Sequence, residues 1–157
     1  MLLNQDFRDL FVELNAHDVE FLVVGAHALA VHGHVRATKD LDVWVRPSSE
    51  NAPRVIAALR SFGAAIQAVT QVDFEMPGIT FQIGVEPVRI DIITEIDGVT
   101  FEPAWQNRVA ADYGGVPVFA ISREDFIRNK LASGRPQDLV DVEVLKHHKP
   151  ESPPNSR

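Results

Sequence analysis

Residues 23–45, "VVGAHALAVHGHVRATKDLDVWV", contain the reading on which the fold turns. An apolar run ends at Gly25, a short Ala-rich segment follows as far as Gly33, and a second apolar run opens with Asp40 and Asp42. The continuous apolar run "EFLVVG" reads as a buried strand, and "AHALAVHG" as a helix of one to two turns stopped by Gly33. "LDVWV", rich in β-branched and aromatic residues, reads as a second strand. Side chains two apart on a strand project from the same face. Asp40 and Asp42 therefore stand side by side, an arrangement that repels unless a cation lies between them.

Outward from this stretch the pattern is mixed. Phe7, Leu10, Phe11 and Leu14 have the spacing of an amphipathic helix that Asn4 can cap. A second helix should begin near Ser49 to Asn51, since Pro53 is tolerated only in a first turn, and should stop at Gly63. Residues 64–75 read as irregular with some helix. "ITFQIG" and "VRIDIIT", separated by "VEP", read as a hairpin. Phe101 and Trp105 read as the packing of a short helix. Ser122 and Asp125 have a capping-box-like spacing before a helix that ends at Gly134, and a last helix runs from about Pro136 to His147. The fold class is α/β (α+β): a small mixed sheet flanked by helices. A single domain over residues 1–148 is expected, with 149–157 as a linker-like, flexible tail.

Composition narrows the partners. The 157 residues are 45% hydrophobic and 24% charged, as in a globular domain. No apolar run approaches the roughly 20 residues of a membrane helix, and no basic-then-apolar leader opens the chain. Without cysteine there is neither a disulfide framework nor a thiolate zinc site, so a cytoplasmic protein is the expectation. The net charge of −7 argues against broad DNA binding and suits a small-molecule or metal site.

A third carboxylate completes the chemical argument. Asp91 lies mid-strand among Ile90, Ile92 and Ile93, where an unpaired charge is costly. With its strand beside that of Asp40, three carboxylates would converge, enough to seat two metal ions about 4 Å apart for phosphoryl transfer. Hard divalent cations, magnesium above all, take such oxygen ligands together with substrate phosphates. The alternative is structural, with Asp42 paired to Arg36 or Lys39 and Asp91 to Arg89. Gly25, between strand and helix, stands where backbone N–H groups can meet a phosphate. His32 and His34 lack the further ligands a zinc site needs. His147 and His148 suit the negative end of a helix. Trp44 fits either the core or a wall of the site.

The strand ending in glycine, "HGHVRATKDLDVWV", "RIDI" and "IRNKLASGRPQDLVDVEVL" together resemble the DNA polymerase β superfamily of nucleotidyltransferases. The likeness extends to small bacterial nucleotidyltransferase-like proteins related to toxin–antitoxin and abortive-infection systems. It implies a polymerase β-like fold with C-terminal helices and transfer of a nucleoside monophosphate from an NTP to a hydroxyl, releasing pyrophosphate. By that resemblance Asp40, Asp42 and Asp91 are the metal-binding and catalytic acids, holding two Mg2+ ions with the NTP bound. Gly25 and Ala26 belong to the triphosphate loop, Arg36 and Thr38 line the phosphate side, and Lys130 and Asp138 face the cleft. The superfamily usually has Gly-Gly or Gly-Ser where this chain has Gly25-Ala26; alanine offers the N–H but no hydroxyl. The acceptor can be a small molecule, a protein side chain or an RNA end.

Two other readings use the same residues. A nucleotide- or partner-binding half of a toxin–antitoxin pair, with little catalysis, would answer to the Gly-Ala loop. A metal-dependent phosphohydrolase would use the acids but leave the glycine turn unexplained. Lys130 is expected to leave its helix at one edge toward the cleft, with Phe126, Ile127 and Leu131 turned to the core, while Arg128 and Arg135 are either solvated or part of a positive rim.

Overall fold

A computed structural model describes residues 4–34, 40–84 and 88–147. Arg36, Thr38 and Lys39, the "VEP" turn and the tail after His147 lie outside the described residues.

Helix α1 (Gln5–Ala16) buries Phe7, Leu10, Phe11 and Leu14, and the Asn4 side chain caps it by accepting from the Phe7 N–H. Strand β1 (Phe21–Val24) leads into α2 (Gly25–Val31). Strand β2 (Asp40–Val45) precedes α3 (Ala52–Phe62), which stops at Gly63 in the left-handed conformation. The stretch that read as irregular holds a five-residue helix, α4 (Gln71–Glu75), started by a capping box between Thr70 and Asp73. Strands β3 (Thr80–Ile83) and β4 (Arg89–Ile93) pair antiparallel as the hairpin pattern requires. Helix α5 (Phe101–Gln106) follows.

Two strands were not anticipated. Residues Val109–Tyr113 (β5) and Val116–Ala120 (β6) form an antiparallel hairpin around Gly114-Gly115. Pro117 and three alanines hide the strand pattern, yet a Gly-Gly pair between short apolar runs is itself a hairpin signal. The sheet is consequently larger than expected, with six strands in the order β3-β4-β2-β1-β6-β5. Strand β6 meets β1 in parallel at Val23 and Ala120 alone, so Pro117 removes no bond from that ladder.

Helices α6 (Arg123–Ser133) and α7 (Pro136–His147) close the chain. Ser122 caps α6 by accepting from the Asp125 N–H, and Gly134 stops it.

The pleat divides the core in two. On one face Leu41, Val43, Val45, Ile90 and Ile92 pack with α1 and α3. On the other, Leu22, Val24 and Trp44 pack with residues of α2, α5, α6 and α7. Trp44 is 1% exposed and its ring meets Phe101 edge-on at 5.0 Å, so it is a core residue. Asn51, also 1% exposed, ties the corner together. Its side chain accepts from the Glu20 N–H at 2.8 Å and donates to the carbonyls of Glu20 and Arg46 at 3.0 and 3.1 Å.

Candidate functional site

Strands β2 and β4 run parallel, with Asp40 opposite Arg89 and Asp42 opposite Asp91. Side-chain alternation then puts Asp40, Asp42, Arg89 and Asp91 on one face, the face that also carries Trp44. Four charges thus share a small area of sheet.

Asp42 sits at the centre. Burial above all, with the charges of Asp91 and Asp40, raises its carboxyl to about 6 against the opposing pull of Lys130 and Arg89. A carboxylate so placed favours a cation. Its neighbour across the β1–β2 ladder is Val24, and the next residue, Gly25, has φ +69. A Cβ built on Gly25 would lie 2.5 Å from the Asp42 Oδ2. Glycine is therefore required twice, for the left-handed backbone and for the close approach of the carboxylate.

Arg89 spans two of the acids. Its Nη2 lies 3.4 Å from the Asp40 Oδ2 and its Nε 3.3 Å from the Asp91 Oδ1. The pairing of Asp91 with Arg89, open as the structural reading of that aspartate, is present. The three acids share a face, but the tight trio foreseen is not preformed: among the described residues no three carboxylate or imidazole groups are gathered into a ready metal cluster.

The C-terminal helices supply the opposite charge. Lys130 does not leave α6 at its edge. It follows Phe126 by one turn on the buried face, 9% exposed, with its Nζ 5.4 Å from the Phe126 ring centroid. Leu131, expected in the core, is 51% exposed. The Lys130 Nζ lies 3.4 Å from the Asp138 Oδ1. The Asp138 Oδ2 accepts from the Arg135 Nε and the Ser133 hydroxyl, both at 2.8 Å. Burial alone would raise the Asp138 carboxyl, but these hydrogen bonds and the charges of Lys130 and Arg135 outweigh it and hold it at about 2. Asp138 is 3% exposed; it presents the two cations rather than itself. Arg135, read from sequence as either solvated or rim, interacts electrostatically with Asp42.

A cavity of about 190 Å3 joins these parts, with Gly25, Asp42, Asp97, Asn129, Lys130 and Arg135 among its walls. Its rim is held by the Asn129 side chain, which donates to the Asp97 carbonyl at 2.9 Å. A larger hollow of about 410 Å3, lined by Asp6, Asp9, Glu13 and Ile83 among others, includes none of the acids of the shared face. Of the histidines, His32 lies with its Nε2 2.8 Å from the Ile121 carbonyl oxygen. His27 is buried against Phe7 and Tyr113.

Solved structures share this architecture. The lincomycin-bound lincosamide antibiotic adenylyltransferase LnuA superposes with a TM-score of 0.61 at 17% identity, over 93% of this chain and 98% of that one. The putative nucleotidyltransferase TM1012 of Thermotoga maritima gives 0.61 at 14% identity, over 94% and 97%. The antibiotic-resistance factor ANT(2'')-Ia gives 0.61 at 16%, over 90% and 80%. The fold is thus that of nucleotidyltransferases. Residues 3–146 match the family described as nucleotidyltransferase of unknown function, DUF6036, and the chain belongs to that family. It is an enzyme of the nucleotidyltransferase class. No curated protein matches the chain. Among the described residues no helix is long and apolar enough to cross a membrane.

Proposed function

We propose that the chain transfers a nucleoside monophosphate from an NTP to the hydroxyl of a small-molecule acceptor, with magnesium, releasing pyrophosphate. The observation that carries the reading is the single face on which Asp40, Asp42 and Asp91 stand, with Lys130 and Arg135 lining one cavity with Asp42. Two structural neighbours, one lincomycin-bound and one an antibiotic-resistance factor, favour a small-molecule acceptor over RNA or protein, as does the net charge of −7 against RNA.

The donor set fits a hard divalent ion. All three ligands are carboxylates, and the central one carries a charge its surroundings disfavour. Asp40, Asp42 and Asp91 would hold the ion, which supplies charge neutralisation on the phosphates when bound. The chain's own groups do the rest. Gly25 and Ala26 bring backbone close to the triphosphate; Arg36 and Thr38, which the resemblance also assigns to it, lie outside the described residues. Lys130 and Arg135 meet the β- and γ-phosphates, where most of the negative charge lies. Asp91 orients the acceptor hydroxyl and receives its proton as the oxygen bonds to the α-phosphorus. The bond from that phosphorus to the bridging oxygen breaks, and pyrophosphate departs.

The test is incubation with each labelled NTP, magnesium and panels of hydroxylated small molecules, total RNA and protein. Pyrophosphate release together with label on a small molecule supports the reading. Label on RNA or protein moves the acceptor class, and absence of pyrophosphate with every NTP ends the catalytic proposal. A cognate toxin or antitoxin partner, which the resemblance also implies, has no separate observation in its favour.

A further inference from the structure

We propose that Arg89 is the resident counter-cation of the acid face: it holds Asp40 and Asp91 in place while no metal is bound, and gives way when a divalent ion enters. The inference rests on the metal-dependent reading above. Arg89 stands opposite Asp40 in the β2–β4 ladder and two residues before Asp91, so one side chain reaches acids on two strands. Different nitrogens serve each, Nη2 at 3.4 Å and Nε at 3.3 Å. The three side chains are 29%, 37% and 15% exposed, so solvent only partly screens the set.

A guanidinium keeps its charge at every working pH. It can neutralise two carboxylates, and a divalent ion that draws carboxylate oxygens to about 2.1 Å would compete with it for Asp40 and Asp91. Entry of the ion therefore weakens these pairs, because the guanidinium and the ion compete for the same carboxylates and repel each other. Arg89 is a positioning residue, acting through Asp40 and Asp91. In the free protein it lowers metal affinity, so the ion is held firmly only when an NTP brings further negative charge. Loss of the guanidinium should leave an acid face that is less stable empty and more receptive to a cation.

The experiment compares wild type, Arg89→Gln and Arg89→Lys, each without nucleotide. Mn2+ binding is followed by the paramagnetic resonance of the free ion, and the metal-free melting temperature is recorded. Arg89→Gln should melt lower yet bind Mn2+ about tenfold more tightly, since a unit positive charge close to the ion is gone. Arg89→Lys, whose single ammonium cannot bridge both acids, should fall between. A merely structural arginine would lower the melting temperature without tightening Mn2+. Affinity unchanged or weaker in Arg89→Gln overturns the proposal, and if that variant does not fold, Arg89→Lys decides by the same criterion. A wild type that takes up no Mn2+ even with ATP rejects the metal-dependent reading itself, and the inference with it.

Discussion

Gly25, at the start of α2, and Asp42, on β2, occupy one spot, and substitutions at the two should move stability in opposite directions. Gly25→Ala puts a methyl where the Asp42 Oδ2 now lies and forces alanine into φ +69. A loss of about 1–3 kcal/mol is expected, read as a lower urea midpoint, along with loss of ATP binding. Asp42→Asn removes a charge that its surroundings disfavour. A carboxyl raised from 3.8 to about 6 bears a charging penalty of at most about 3 kcal/mol at neutral pH. The metal-free variant should therefore be as stable as wild type or more so. The gain should be greatest above pH 6 and vanish below about pH 4, where the carboxyl is protonated in both folded and unfolded chains. Urea titrations across that range check it. A clear loss at pH 7 would mark Asp42 as a structural ion-pair partner.

The junction of α6 and α7 works as a unit because one buried carboxylate holds it. Asp138 receives Ser133, Arg135 and Lys130 together, and its carboxyl is held at about 2. A depressed carboxyl contributes stability above its unfolded value and loses it as pH falls through the folded one. The difference in stability between wild type and Asp138→Asn should accordingly be full above about pH 4 and fade toward pH 2, as urea midpoints would show. At neutral pH the variant should weaken ATP far more than adenosine, because the cations it releases serve phosphates. In a Lys130→Ala, Arg135→Ala background the further substitution should then cost ATP affinity little. Equal losses for both ligands would leave Asp138 a purely structural knot. From sequence this element was half legible. The Ser122 cap, the Gly134 stop and the lysine could be seen, but not the buried side of α6. Phe126, Lys130 and Leu131 are a short run in which either neighbour fits the core, and only packing against the sheet decides.

At the scale of the whole molecule, what could be read were the elements with strong local signals: α1 by its periodicity, β1 and β2 by their apolar runs, and β3 and β4 by their spacing. The acid pair declared itself because two charges on one strand face need a reason. The β5–β6 hairpin was missed because alanine and proline carry no strand propensity. The Arg89–Asp91 pair could be read from their spacing, but not Arg89's second contact to Asp40, because a register between distant strands has no local trace. Asn51 was equally silent, although it satisfies three backbone groups across the corner of β1, β2 and α3. Asn51→Ala leaves those groups without their partner, and a loss of about 2–4 kcal/mol is expected, with ATP affinity per folded molecule unchanged. Thermal melts beside ATP titrations would separate the two. A fall in affinity that matched the fall in stability would mean that the corner and the acid face are coupled.

Strand β6 runs straight into the cap of α6, so the hairpin decides where Lys130 arrives. This has a consequence for the newborn chain. A ribosome makes the glycine turn and all three aspartates before residue 92, yet Lys130 and Arg135 emerge some forty residues later. A sheet that begins to collapse during synthesis would meet its own acid face well before those two cations exist. Arg89, two residues ahead of the last aspartate, comes off the ribosome in time to keep that face together.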